Sequence, residues 1–176
     1  MKTAPVILPA MPADAAEIAR IYNHYVDAGG STFDTQHWEV AQTAAQLPQH
    51  DPEGWFVAKT AAQDEPILGW ASVRRFSARF GYRFSCESAI YVDSQAMGTG
   101  AANALQAQIE SHCVRNRIHH AVARIVADNA RSMAFHRRWG YELVGIQKEI
   151  GHMDDQWIDV AILQKIFTTP DDHNLT

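Results

Sequence analysis

Residues that could bind an anion follow a strand-like run near the middle of the chain. The segment that starts at Tyr91 reads YVDSQAMGTGAA, and its glycines Gly98 and Gly100 separate the strand-like run from a helical one. Glycine lets a backbone approach a ligand closely, and the first N–H groups of the following helix attract negative charge. The pattern predicts a pyrophosphate site, with a simple tight connection between a strand and a helix as the alternative.

Two widespread nucleotide motifs do not fit this loop. The ATPase and GTPase loop requires a lysine and a hydroxyl residue after its last glycine, whereas Ala101 and Ala102 follow Gly100. The glycine spacing of the dinucleotide fingerprint is also missing from this segment. The predicted anion site is therefore of another kind.

Glu87 and His136 are the side chains best suited to moving protons. Glu87 lies in a strand-like apolar run, where a carboxylate is costly unless it is paired or solvated. It is either a general base or the partner of one of the nearby arginines. His136 lies on a predicted helix and can exchange a proton near neutral pH, or simply pack that helix on the sheet.

An arginine and a tyrosine precede the Glu87 strand. Arg79 and Tyr82 stand among Arg74, Arg75 and Arg83. A guanidinium binds a carboxylate or phosphinate through two parallel hydrogen bonds, so this cluster fits an amino-acid substrate, with a solvated turn as the alternative. Neither Cys86 nor any serine has a base at a recognisable motif spacing, which favours direct group transfer over a covalent intermediate.

Helices and strands alternate along the chain. A predicted capping box of Asp14 and Glu17 opens an amphipathic helix that ends at Gly29, and Asn129 caps a helix containing Ser132. Predicted strands cover residues 6–8, 55–59, 67–74, 83–92, 120–126, 141–150 and 157–167. Turns are predicted at 63–66 and 154–155. The remaining predicted helices cover 38–47, which Pro48 closes, 101–113 and 130–139. This order predicts an α/β fold with a mixed, mostly antiparallel sheet flanked by helices.

Composition limits the kind of protein. The 176 residues are 47% hydrophobic and 20% charged, without a linker-like stretch, which predicts one domain over 1–176 with a core of about 5–167. A net charge of -5 without a basic stripe argues against nucleic acid, and no apolar run suits a membrane span. The N-terminal apolar patch is too short for a secretory signal, so we expect a cytoplasmic protein. Dispersed histidines predict no metal site, and Cys86 and Cys113 are predicted to be reduced structural thiols.

Several segments together resemble one enzyme superfamily. QAMGTG matches the Q/R-x-x-G-x-G/A pyrophosphate loop of the GNAT acetyltransferases. The segments IYNHYV, STFDT, ARFGYRFSCESAIYV and DNARSMAFHRRWGY resemble the phosphinothricin and methionine sulfoximine acetyltransferase group of that superfamily. The resemblance covers nearly the whole chain. Phe80-Gly81 and the residues just before Glu87 depart from the group's pattern and leave the substrate, rather than the reaction, open.

The resemblance implies a role for each matching residue. Glu87 stands at the catalytic glutamate position, and His136 stands where many GNAT enzymes have a tyrosine that protonates the departing thiolate of coenzyme A. Arg79, Tyr82 and Phe33 match residues that bind the acceptor, although Phe33 alone would be read as core packing. The implied acetyl-CoA contacts are Ile90, Tyr91 and Val92 for the pantetheine arm, Gln95, Ala96, Met97, Gly98, Thr99, Gly100 and Ala101 for the pyrophosphate, and the side chains of Asn129 and Ser132.

We therefore expect an N-acetyltransferase that moves acetyl from acetyl-CoA to the α-amino group of a small amino-acid analogue. The resemblance also implies a homodimer. Two alternatives stay open: a GNAT enzyme that acetylates another amine, such as a natural amino acid or a polypeptide N-terminus, and a non-catalytic module that binds coenzyme A.

Overall fold

The computed structural model describes residues 4–47, 51–60 and 66–168. The strands are Val6–Pro9 (β1), Gly54–Lys59 (β2), Gly69–Arg75 (β3), Ser85–Val92 (β4), His120–Val126 (β5), Glu142–Met153 (β6) and Gln156–Ile166 (β7). The helices are Ala15–Ala28 (α1), Val40–Gln46 (α2), Ala101–Arg115 (α3) and Ala130–Arg138 (α4). The predicted order of elements is confirmed. Pro48 and residues 63–65 of one predicted turn lie outside the described residues.

One seven-stranded sheet carries the fold, in the order β1-β2-β3-β4-β5-β7-β6. Neighbouring strands are antiparallel except β4 and β5, which run parallel. The helix between those two strands, α3, supplies the crossover that a parallel pair needs. The predicted mixed, mostly antiparallel sheet is confirmed.

Two apolar cores cover the two faces of the sheet. Leu105, Ile109 and Cys113, which repeat every four residues along α3, are fully buried against one face. On the other face, α1 packs Ile18 and Ile21 against a cluster that includes Trp70. Burial of a large apolar side chain contributes about 1.5–3 kcal/mol, so these contacts hold both helices on the sheet.

The predicted capping box at the start of α1 is wrong. Asp14 ends a short 3-10 turn and does not cap the helix: its carboxylate accepts a hydrogen bond from the Met11 N–H at 2.9 Å and pairs with Lys59 at 2.7 Å. Glu17 pairs with Arg20 at 3.0 Å instead of reaching back. The strand β2 supplies Lys59, a partner that a local sequence pattern does not contain.

Two predicted boundaries shift because backbone groups are bonded elsewhere. The helix predicted from Trp38 begins at Val40, since the Asn23 side chain bonds both the N–H and the C=O of Trp38, at 2.7 and 3.1 Å. The strand predicted from Arg83 begins at Ser85, because the Arg83 N–H bonds the Phe80 carbonyl at 3.1 Å and closes a turn.

The final hairpin extends further than predicted. Its two-residue turn at Asp154 and Asp155 has φ of +49° and +58°, the left-handed pair that suits the twist of a tight hairpin. The edge strand β6 is 12 residues long. The hairpin tip therefore projects past β5, whose pairing with β7 ends at Val126 and Val160.

Cys86 and Cys113 are free thiols in the core, with their Sγ atoms 3.9 Å apart. Burial and the neighbouring Cys113 raise the pKa of Cys86. Among the described residues, no helix is long and apolar enough to cross a membrane, and no cluster of three metal-ligating side chains occurs.

Candidate active site

The sheet opens between β4 and β5. Their described ladder contains only the pairs Ser85 with His120, Cys86 with Ala121, and Glu87 with Val122. Beyond Glu87, β4 stays paired with β3 and β5 stays paired with β7. The two strands thus diverge, and the inner edge of β4 over residues 88–92 is left for an extended ligand to pair with, as an added strand would.

The glycine loop lies at the wide end of this opening. Gly98 and Gly100 have φ of +76° and +91°, a backbone conformation that favours glycine. Apart from their chain neighbours, no atom of the described residues lies within 4 Å of where their Cβ atoms would be. In the described ranges, the N–H groups of Met97, Gly98 and Gly100 lack a protein partner. A loop that faces open space with unpaired N–H groups fits an anion.

Other N–H groups of the loop are used internally. Gln95 and Ala96 donate to the side chain and carbonyl of Asp93, at 2.8 and 2.9 Å, and Thr99 donates to the Ala96 carbonyl at 3.2 Å. Asp93 is itself held by Arg20 at 2.6 Å. These bonds fix the loop, and Ala101 then begins α3, whose dipole favours a negative charge at this end.

The helix α4 lies beside the loop. The Asn129 side chain accepts a hydrogen bond from the Ser132 N–H at 3.0 Å, so Asn129 is the helix cap, and its amide also donates to Ser31 at 3.4 Å. Arg131 reaches the Met97 sulfur at 3.6 Å. Sequence reasoning missed this guanidinium, which adds a positive charge beside the unpaired loop N–H groups.

Glu87 stands at the narrow end of the opening. Its side chain is 33% exposed, and both carboxylate oxygens accept hydrogen bonds from Arg124, at 2.8 and 2.5 Å. This pairing raises the pKa of Arg124. The ion pair expected as the alternative interpretation does form, but with an arginine of β5 rather than one near Glu87 in sequence.

Arg124 could have been found only from the register of the strands. Glu87 pairs with Val122 across the parallel ladder, and Arg124 lies two residues further along the same face of β5. The bidentate geometry orients the carboxylate. Each carboxylate oxygen has a second lone pair, so Glu87 can still accept a proton or a hydrogen bond from a ligand.

His136 is 7% exposed on α4. Its Nδ1 lies 2.9 Å from the Ser132 carbonyl oxygen, which can only accept, so Nδ1 carries the proton and Nε2 has a free lone pair. Burial lowers the pKa of His136, partly offset by the hydrogen bond to Ser132. The imidazole is therefore neutral at pH 7. Its ring packs edge-on against the Tyr141 ring, with the two ring centroids 5.1 Å apart.

The buried neutral imidazole makes stability depend on pH. The pKa of the folded group lies below the ordinary 6.5, so the unfolded chain binds more protons as the pH falls through that value, and the fold loses stability. We expect the fall in melting temperature from about pH 7.5 to about pH 5.5 to be smaller in His136→Gln than in wild type.

A buried polar group behind the opening was also missed. The Tyr141 hydroxyl lies 3.2 Å from the Ser88 hydroxyl, and burial raises the pKa of Tyr141 to about 12. Gln106 of α3 is fully buried, and its side-chain amide lies close enough to the Tyr141 hydroxyl to offset part of that rise in the Tyr141 pKa. The sequence around Tyr141 gave no sign that its hydroxyl contacts Ser88.

The predicted acceptor residues lie apart. Phe33, 40% exposed, rests on β6 at Gly151. Arg79 is exposed at the start of a 3-10 turn that ends at Tyr82, whose ring lies 5.3 Å from Phe76. In the described ranges, Arg79 and Tyr82 form no hydrogen bond, ion pair or ring contact with Phe33 or Glu87. The structure thus groups Glu87, the loop and α4 around the opening, but does not join the acceptor residues to them.

The divergent parallel strands and the glycine loop between β4 and α3 define an acetyltransferase class of fold. Residues 7–162 match the acetyltransferase (GNAT) domain, so the chain belongs to the GNAT family. It is an acyltransferase that uses acetyl-CoA.

Curated relatives are similar over most of the chain. A phosphinothricin N-acetyltransferase of Streptomyces coelicolor is 30% identical over 88% of this chain and 92% of its own length. An L-methionine sulfoximine/L-methionine sulfone acetyltransferase of Pseudomonas paraeruginosa is 33% identical over 86% of this chain and 88% of its own. Among solved structures, a phosphinothricin acetyltransferase from Sinorhizobium meliloti in complex with acetyl-CoA has a TM-score of 0.86 and 26% identity, covering 97% of this chain and 95% of that one.

Proposed function

We propose that this protein transfers acetyl from acetyl-CoA to the α-amino group of a small amino-acid analogue of the phosphinothricin or methionine sulfoximine type. The observation that carries the proposal is a partly exposed carboxylate, Glu87, at the narrow end of an opening whose wide end holds an anion-binding loop. The names of the relatives support the substrate class. We also propose that residues 1–176 form a single acetyltransferase domain.

Acetyl-CoA fits the opening as an extended ligand. The backbone of Ile90, Tyr91 and Val92 would pair with the pantetheine arm, and the N–H groups of residues 97, 98 and 100 would face the pyrophosphate. The Val92 carbonyl already accepts from the Tyr25 hydroxyl at 2.6 Å. This bond fixes the end of β4 next to the loop.

The chemistry we propose is direct transfer. Glu87, directly or through a water molecule, takes a proton from the substrate ammonium, and the amine nitrogen then bonds to the thioester carbonyl carbon. The nitrogen of this tetrahedral intermediate gives its second proton to the Nε2 atom of His136 as the carbon–sulfur bond breaks and the thiolate leaves. Neutral His136 holds no proton at Nε2 to give to the thiolate. We therefore assign it a proton-accepting role, whereas the tyrosine that many GNAT enzymes have at this position acts as an acid.

Acceptor binding rests on Arg79, Tyr82 and Phe33. If Arg79 holds the acidic group of the substrate, Arg79→Lys should raise the KM for the amino-acid analogue about tenfold while leaving acetyl-CoA affinity intact, because lysine cannot form two parallel bonds. Steady-state kinetics with each substrate varied measure this. Arg83→Lys is the matched control. An equal loss for an amine without any carboxylate or phosphinate would show that Arg79 is structural.

A second copy of the chain is the proposed partner. The edge strand β6 exposes Leu143, Val144 and Ile146, and Trp157 of β7 is 65% exposed. Long apolar edges invite pairing with another chain, so we propose a homodimer through this edge, in the cytoplasm. Sedimentation equilibrium of wild type and Val144→Glu tests the interface: the variant should be monomeric, and an unchanged mass would rule this edge out.

Release of free coenzyme A with a panel of amines tests the function. The panel contains phosphinothricin, methionine sulfoximine, natural amino acids and a short peptide with a free N-terminus. Turnover greatest with the first two supports the proposal. Preference for a natural amino acid or for the peptide supports an enzyme for another amine, and acetyl-CoA binding without any turnover supports a non-catalytic module.

A further inference from the structure

The edge strand β6 contains a bulge near its far end. The ladder with β7 shifts register once between Leu143 and Gly145 and then runs to Gln147 opposite Val160. It resumes at Gly151 opposite Ile158, so residues 148–150 lie outside it. Glu149, within the bulge, has a φ of +53°, which a side-chain-bearing residue seldom adopts. Such bulges redirect the residues that follow and are frequent near active sites.

The carboxylate of Asp159 on β7 holds this bulge. It accepts a hydrogen bond from the Glu149 N–H at 2.8 Å and pairs with Lys148 at 2.6 Å. The Asp159 backbone carbonyl also accepts from the Ala127 N–H at 2.9 Å. The bulge is therefore anchored to the end of β5, just before the α4 cap.

The redirected strand places Gly151 under the ring of Phe33. A Cβ atom at Gly151 would lie 2.8 Å from the Cδ1 and Cζ atoms of Phe33, and closer still to Cε1. Carbon atoms pack at about 3.5–4.0 Å, so the ring occupies the space that any other residue would fill. The backbone of Gly151 has no positive φ, so its conformation does not require glycine. What the missing side chain provides is room for the Phe33 ring.

Phe33 is held from the other side by its own loop. Ser31 accepts a hydrogen bond from the Asn129 side chain at 3.4 Å, and Asp34 accepts bonds from the hydroxyl of Tyr22 at 2.7 Å and the indole N–H of Trp38 at 3.0 Å. The ring thus spans the gap between the loop after α1 and the hairpin of β6 and β7.

We propose that Gly151 is a positioning residue for acceptor recognition: the bulge delivers a bare backbone against which the Phe33 ring packs, and this contact sets one wall of the acceptor pocket. The inference rests on the proposed function, since it takes Phe33 as an acceptor contact. It assigns to β6 a role in substrate selection that does not involve the acetyl-CoA opening.

Kinetics of Gly151→Ala test the proposal, with Gly145→Ala as a matched control. Both glycines lie in β6, but a Cβ at Gly145 meets nothing within 4 Å. Gly151→Ala should raise the KM of the best amine in the panel about tenfold, with acetyl-CoA affinity and melting temperature nearly unchanged because Phe33 can swing into solvent. Gly145→Ala should match wild type. In a Phe33→Ala background, Gly151→Ala should have no further effect on KM, since the two changes remove one interaction.

Fluorine NMR of protein labelled with 4-fluorophenylalanine separates this inference from the proposed function. The Phe33 resonance, assigned with Phe33→Leu, should shift in Gly151→Ala and stay in place in Gly145→Ala. An unmoved resonance overturns the contact, and a moved resonance with an unchanged acceptor KM overturns the positioning role. If no amine of the amino-acid type is acetylated, the proposed function fails, and the role of Phe33 in acceptor binding fails with it. The shift of the Phe33 resonance would still report whether Phe33 contacts Gly151.

Discussion

Replacing Glu87 with Gln should lower kcat by about 10²-fold or more while acetyl-CoA affinity stays near wild type. An α-ammonium is protonated at neutral pH and cannot attack a thioester until it loses a proton. Glutamine keeps the size of the side chain and one of the hydrogen bonds from Arg124, but cannot take that proton. Single-turnover rates and calorimetric titration with acetyl-CoA measure the two quantities separately.

The pH dependence distinguishes a base from a structural carboxylate. At high pH the substrate arrives deprotonated, so the deficit of Glu87→Gln should shrink as the pH rises. The ion pair with Arg124 is partly exposed, with 58% and 33% of the side chains accessible, and pairs of this kind contribute about 0–1 kcal/mol. A small, pH-independent deficit with a clear loss of stability would remove Glu87 from the mechanism. Glu142→Gln, on the exposed edge of the sheet, is the matched control.

Features set by neighbouring residues were predictable. The four-residue repeat of Leu105, Ile109 and Cys113 predicted both α3 and the face that it buries. Gly98 and Gly100 predicted a loop whose backbone can approach a ligand closely, and both have the positive φ that favours glycine. The last turn was predicted at Asp154 and Asp155, where the structure places it.

Features set by the pairing of distant strands were not predictable. Asp14 has the spacing of a cap, but Lys59 lies 45 residues away and holds its carboxylate. The partner of Glu87 depends on a parallel register that no local pattern shows. Gly151 gave no signal either, because its contact with Phe33 needs a bulge that Asp159 fixes from another strand. In each case the partner comes from an element whose position follows only from the whole sheet.

The state of His136 lies between these two cases. Its hydrogen bond to Ser132 joins residues four apart on one helix, a spacing that brings side chain and carbonyl together in any helix. The sequence therefore contained the donor and the acceptor. The burial that keeps the imidazole neutral comes from tertiary packing, including the edge of Tyr141.

Gly100→Val should weaken acetyl-CoA binding by about tenfold to 100-fold, or about 1.4–2.8 kcal/mol. Gly100 has a φ of +91°, so valine either strains the backbone, at about 1–3 kcal/mol, or moves it and turns the unpaired N–H groups away from the pyrophosphate. Apart from its chain neighbours, no atom in the described part of the chain lies within 4 Å of the new Cβ, so the side chain would crowd the ligand rather than the fold.

Gly29→Val separates backbone strain from ligand contact. Gly29 ends α1 with a φ of +68°, and its Cβ position is equally open, but it lies outside the glycine loop. The two variants should therefore lose similar amounts of thermal stability, while only Gly100→Val loses affinity in calorimetric titration with acetyl-CoA. Equal affinities in the two folded variants would show that the loop is a tight connection between β4 and α3, and that the pyrophosphate binds elsewhere.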